Sequence, residues 1–234
     1  MKKSSSLWLW GTHACFAALN NPNRKCLQLL VTETVRKNLP HSLEFIKAQI
    51  VDNASLARLL PAGTVHQGIA MKVLPLPEPG FEKLTAVSSG VLIVLDHITD
   101  PHNVGAILRT AKALGAIGIF MTEHHAPPLC GVLAKTASGA LELLPIWHVT
   151  NLSRGLEELK KMGFWTVGLD ERGPTYLSKA ALPEKMALIM GAEGEGLRRL
   201  TQEKCDFLMK LPTDPSFPTL NVSVAAAISL YELV

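Results

Sequence analysis

The sequence predicts an α/β protein in which a small mixed domain precedes a larger, mainly parallel sheet with helices on both faces. Three observations carry that expectation. Continuous aliphatic runs at 91–95 and 117–121 alternate with helix-period segments over residues 91–234. The stretch 74–80 divides the chain, because Pro75, Pro77 and Pro79 fit neither a central strand nor a helix interior. The 234 residues are 47% apolar and 6% aromatic, enough for an aliphatic core in one large domain or two small ones.

The front domain, 1–76, reads as a compact α/β sandwich. Residues 12–19 have the pattern of a short helix entered through Gly11 and Thr12, and 26–31 that of an apolar strand. Residues 35–38 and 43–49 look helical, and 65–73 reads as a strand following the turn at Gly63. Residues 77–90 form the linker. In the rear domain, 91–234, strand 91–95 precedes Val104, Ile107, Leu108, Ala111 and Leu114 at helical spacing, and Gly115 ends that helix. Strand 117–121, helix 156–162, strands 165–169, 187–190 and 207–211, and an apolar-faced helix 222–233 complete the domain.

Composition narrows the function classes. No apolar run reaches membrane-spanning length, so no membrane partner is expected. Leu7-Trp8-Leu9-Trp10 behind two lysines imitates a signal peptide, but Gly11, Thr12 and His13 interrupt it, and a cytoplasmic protein is expected. Cys15, Cys26, Cys130 and Cys205 are scattered and read as reduced thiols. Residues 1–90 carry 10 Lys/Arg against 5 Asp/Glu, and residues 91–234 carry 13 against 15. A basic front half suits a module that grips a polyanion. Arg24, Lys25, Arg36 and Lys37 are its candidate phosphate contacts, and each also fits a solvated surface.

Ligands of open α/β sheets sit beyond the carboxyl ends of strands, and three loops there are unusual. The first, 96–105, is polar: Asp100 or Asn103 can cap the helix that follows, and Arg109 lies opposite that helix's apolar stripe, where a solvated arginine is also expected. His97, Asp100 and His102 form no established metal-binding pattern, so no metal is expected. The second loop carries Gly191, Gly194 and Gly196 around Glu193, as G-x-x-G-x-G rather than the G-x-G-x-x-G dinucleotide fingerprint. Three glycines directly after a strand allow a ligand to approach the backbone. The third loop is stiffened by Pro212, Pro215 and Pro218 and ends at Thr219-Leu220-Asn221, where Thr219 or Asn221 can cap the last helix.

In that order, 100–109, 189–197 and 211–228 resemble the three motifs of the SpoU (TrmH-like) family of RNA 2′-O-ribose methyltransferases. Gly11-Thr12-His13-Ala14 and His66-Gln67-Gly68-Ile69-Ala70 are similar to the ends of the ribosomal-protein-like RNA-binding domain that many members carry. The pairing is most similar to the subgroup that methylates a guanosine ribose of 23S ribosomal RNA. The resemblance implies a deep trefoil knot, a homodimer, S-adenosyl-L-methionine as cofactor, and RNA, free or in a precursor particle, as partner. It implies that Gly191, Leu211 and Leu220 line the cofactor pocket, and that Asn103, Arg109, Glu193, Thr219 and Asn221 form the catalytic cluster. Thr219 stands where the family usually has serine, and the loop before it is less glycine-rich than usual.

Overall fold

The computed structural model describes residues 6–40, 46–178 and 182–234. The chain divides into two compact units, Met1–Pro77 with Pro128–Leu143, and Glu78–Pro127 with Leu144–Val234.

The first unit opens with β1 (Leu7–Trp10), α1 (Thr12–Asn20), β2 (Cys26–Val31), α2 (Glu33–Lys37), β3 (Gln49–Ile50), α3 (Asn53–Leu59) and β4 (Ile69–Val73). The sheet order is β1-β4-β2-β3, with β4 antiparallel to both neighbours and β3 parallel to β2. The apolar residues 7–10 are thus a strand paired with Ala70–Val73, and Leu9 and Trp10 are buried. The strand expected over 65–73 begins only at Ile69, because Gln67 and Gly68 hold φ of +56° and +77° and turn the chain. Of the helix expected over 43–49, residues 43–45 lie outside the described residues. Residues 46–48 are not helical, and Gln49 and Ile50 pair with Leu30 and Val31.

The second unit begins with α4 (Glu82–Thr85), β5 (Gly90–Leu95), α5 (Pro101–Ala113) and β6 (Gly118–Thr122). The chain then returns to the first unit as α6 (Gly131–Thr136) and a 3-10 turn at Ala140–Glu142. Helix α6 packs on β1, and Gly131 allows this. A Cβ there would lie 2.1 Å from the Trp10 ring. Glu142 accepts from Arg24 Nη2 at 2.6 Å and from Asn21 Nδ2 at 2.9 Å, while Arg24 Nη1 donates to Leu74 O at 2.8 Å. Arg24 is therefore buried and committed, which removes it from the candidate phosphate contacts. Lys25 and Lys37 are exposed.

The second unit resumes with β7 (Ile146–Val149), α7 (Leu152–Lys161), β8 (Trp165–Leu169), β9 (Thr175–Tyr176), β10 (Lys185–Met190), α8 (Arg199–Lys204), β11 (Phe207–Lys210) and α9 (Val222–Leu233). Its seven strands run parallel in the order β7-β6-β5-β10-β8-β11-β9. Leu92 and Val94 join Phe120, Ala187, Ile189 and the α7 leucines in one cluster. Val91, Ile93 and Leu95 are also buried, so both faces of β5 are covered, as its unbroken apolar run requires. Helices α5 and α9 pack on each other. No helix among the described residues is long and apolar enough to cross a membrane.

Candidate active site

Strands β10, β8 and β11 are neighbours in the sheet, and the loops leaving their carboxyl ends enclose a cavity of about 360 Å³. That is large enough for a small-molecule site, which spans roughly 300–1,000 Å³. Gly191, Leu211 and Leu220 all line it, as do Glu193 and Thr219. The tightest point is Gly191. A Cβ there would lie 2.2 Å from the Gly196 carbonyl carbon and 2.5 Å from the Leu197 nitrogen. The glycine loop folds back on itself through Gly196 N donating to Ala192 O at 2.9 Å. Backbone groups are thereby brought to the cavity with no side chain between. Met190, Val222 and Ala225 add apolar wall, and Asp170 and Thr213 add polar groups, a mixture that suits a nucleoside with a charged tail.

Asn103, Arg109 and Asn221 lie outside the cavity lining. Two of them meet its rim. Glu193 Oε1 accepts from Asn221 Nδ2 at 2.6 Å, Asn103 Nδ2 at 3.2 Å and Val222 N at 3.2 Å. Asn221 Nδ2 also donates to Asn103 Oδ1 at 2.9 Å. Asn221 caps α9 as well, its Oδ1 accepting from Ser223 N at 2.9 Å. Only an amide serves both purposes, with an acceptor for the cap and a donor for Glu193. Asp100, not Asn103, caps α5, accepting from His102 N at 3.0 Å; this leaves Asn103 free to face Glu193.

Arg109 lies on the same helix as Asn103, six residues or about 9 Å further along. It is exposed, and no hydrogen bond or ion pair joins it to the other described residues, Glu193 included.

The loop after β8 had no part in the sequence expectation, yet Asp170 and Arg172 line the cavity. Asp170 is buried and accepts from Arg172 Nε and Nη2, both at 2.8 Å, and from Gln202 Nε2 at 3.0 Å. The signal was present: Asp170-Glu171-Arg172-Gly173 directly follows the strand read at 165–169. Hydrogen bonding from Arg172 holds the Asp170 carboxyl below the ordinary carboxylate value. A lowered folded pKa contributes stability above the unfolded value of about 3.9, lost as pH falls through the folded one. Arg172→Ala should therefore move acid unfolding to higher pH, measured by circular dichroism; an unchanged midpoint would deny the coupling. Asp96, fully buried, ties the loop after β5 to that after β10 by accepting from Arg198 Nε at 2.7 Å.

The model of the SpoU rRNA methylase family matches residues 90–231, and that of the RNA 2′-O-ribose methyltransferase substrate-binding domain matches residues 8–79. The chain is 39% identical over 244 residues to the 23S rRNA (guanosine-2′-O-)-methyltransferase RlmB of Pasteurella multocida, covering 97% of this chain and 96% of that one. It is 42% identical to an uncharacterized tRNA/rRNA methyltransferase of Synechocystis sp., covering 96% of this chain but 61% of that relative's length. The fold matches the SpoU methyltransferase AviRb of Streptomyces viridochromogenes, solved with AdoMet, at TM-score 0.81 and 22% identity over 97% of this chain and 89% of that one. With both family models matched in sequence and three strand-end loops gathered at one cavity, the chain belongs to the SpoU family of S-adenosylmethionine-dependent RNA 2′-O-ribose methyltransferases.

Proposed function

We propose that this protein methylates the ribose 2′-hydroxyl of a guanosine in 23S ribosomal RNA, with S-adenosylmethionine bound in the cavity of Gly191, Leu211 and Leu220. The observation that carries the reading is the contact between that cavity and the polar cluster: Glu193 belongs to both. The similarity to RlmB along the whole chain supports the guanosine and the 23S substrate.

Bound there, the cofactor supplies an electrophilic methyl group on a sulfonium. The protein's task is to align the ribose oxygen behind that methyl, and alignment can supply about 7–11 kcal/mol of the barrier. Arg109 is the cation for the developing alkoxide and the neighbouring phosphate. Its guanidinium stays protonated, so it stabilises charge rather than removing the proton. Glu193 fixes Asn103 against the start of α9, so that both amides are held at the cavity mouth. Thr219 offers a hydroxyl to the ribose from the cavity wall. The basic first unit, with exposed Lys25 and Lys37, holds RNA phosphates, which gives affinity more than sequence reading.

A homodimer and a trefoil-knotted thread belong to the same reading, as does a cytoplasmic place beside ribosomal RNA or its precursor particle. Val224, Ile228 and Tyr231 support the dimer: spaced at i, i+4 and i+7 on α9, they are 46%, 43% and 77% exposed. Paired Ile228→Glu and Tyr231→Glu substitutions should halve the mass measured by sedimentation; an unchanged mass would move the interface elsewhere.

Incubation with labelled S-adenosylmethionine and 23S rRNA tests the activity. Label is expected on one guanosine ribose and should vanish when that nucleotide is 2′-deoxy. Label on a base would refute the reading.

A further inference from the structure

Beyond the cavity, at the carboxyl ends of β5 and β6, the rings of His97 and His125 stack with centroids 4.4 Å apart and planes 28° from parallel. Both residues have left-handed backbones, φ +58° and +59°, a conformation uncommon for any residue with a side chain. No hydrogen bond or ion pair joins either ring to the other described residues. His125 is exposed and His97 half-buried, leaving the outer face of the stack open. Burial, with the Arg198 guanidinium second, pushes the His97 imidazole below its ordinary pKa, so near neutral pH it is an uncharged aromatic surface.

The position is as informative as the geometry. Strand β5 lies between β6 and β10, so the pair adjoins the cofactor cavity along the sheet edge. Asp96, next to His97, is anchored to Arg198, which follows the glycine loop. Asp100, three residues beyond His97, caps the helix that carries Asn103 and Arg109. The pair therefore lies beside the loop that leads into the helix of Asn103 and Arg109.

We propose that His97 and His125 form a stacking shelf for an unpaired RNA nucleobase flanking the methylated nucleotide. The proposal rests on the RNA methyltransferase reading. Sequence-specific RNA recognition commonly splays bases out onto aromatic or histidine rings, and a shelf of this kind takes any base because every base has a π face.

The test uses the full-length protein and an RNA with 2-aminopurine beside the target guanosine, whose fluorescence is quenched on stacking. His97→Gly and His125→Gly suit the left-handed backbone, so melting temperature and S-adenosylmethionine affinity should not fall. Both variants should abolish the quenching and raise KM for RNA about tenfold at unchanged kcat, within the usual worth of one stacked base. His125→Phe should restore both. Unaltered quenching and KM in the glycine variants overturns the shelf, as does a phenylalanine variant no better than glycine. Quenching by the wild type without methyl transfer would instead sink the parent reading and leave the shelf standing.

Discussion

Arg109→Ala keeps S-adenosylmethionine affinity and loses about 10²–10³-fold in turnover, the range seen when one group aimed at developing negative charge is removed. The separation of the two quantities follows from placement. Arg109 does not line the cavity, so cofactor binding has no use for it. It is exposed and joined by no hydrogen bond or ion pair to the other described residues, so its removal leaves no buried group unpaired and should barely change stability. Arg109→Lys should recover only part of the rate, because an ammonium keeps the charge and loses the planar fork. Calorimetry with S-adenosylmethionine and single-turnover methylation of RNA separate the effects. Equal losses in both would return Arg109 to the role of a structural or cofactor contact.

Gly191→Ala is expected to do the reverse, eliminating cofactor binding. The new methyl would overlap the backbone of Gly196 and Leu197, and backbone cannot swing aside as a side chain can. Either the glycine loop opens, breaking the Gly196 N to Ala192 O hydrogen bond, or strand β10 shifts. Overpacking of this kind costs about 1–3 kcal/mol, occasionally more. Thermal melting should fall and the cofactor-induced rise in melting temperature should vanish. Gly194→Ala is the control: a Cβ there meets nothing within 4 Å, and only its φ of +80° opposes the change, so it should be far milder. Similar damage from both would mean that loop strain, not the close approach at Gly191, is what matters.

The second unit was largely legible in the sequence because its central strands β5, β6 and β10 are buried on both faces. An unbroken run such as 91–95 or 187–190 needs no neighbour to be recognised, and helix α9 was bounded correctly by Asn221 and by its apolar length. The first unit was harder. Residues 7–10 become a strand only through pairing with β4, 60 residues away in sequence, and β3 is two exposed residues with no pattern to read. The return of residues 128–143 to the first unit depends on Gly131 against Trp10 and on the Arg24–Glu142 ion pair, contacts between residues too distant in sequence to show any periodicity.

At the site, the motif order points to the loops, whereas the division of labour among their residues rests on contacts distant in sequence. Asp100 or Asn103, and Thr219 or Asn221, were equal candidates for caps. The structure assigns the caps to Asp100 and Asn221, and Asn221 turns out to be both cap and rim residue. Glu193 meets the two asparagines and the backbone N–H of Val222, contacts between loops that lie far apart in the sequence. The Asp170-Glu171-Arg172-Gly173 signal is weak in the sequence because acidic residues after a strand are common, and the burial of Asp170 beside Arg172 and Gln202 is what sets it apart.

The central claim is most directly tested by mapping 2′-O-methyl groups across total RNA from cells with and without this protein. One guanosine of 23S rRNA should lose its ribose methyl in the deletion, regain it with the wild-type chain and stay bare with Arg109→Ala. An unchanged methylation map, or full restoration by Arg109→Ala, would contradict the account.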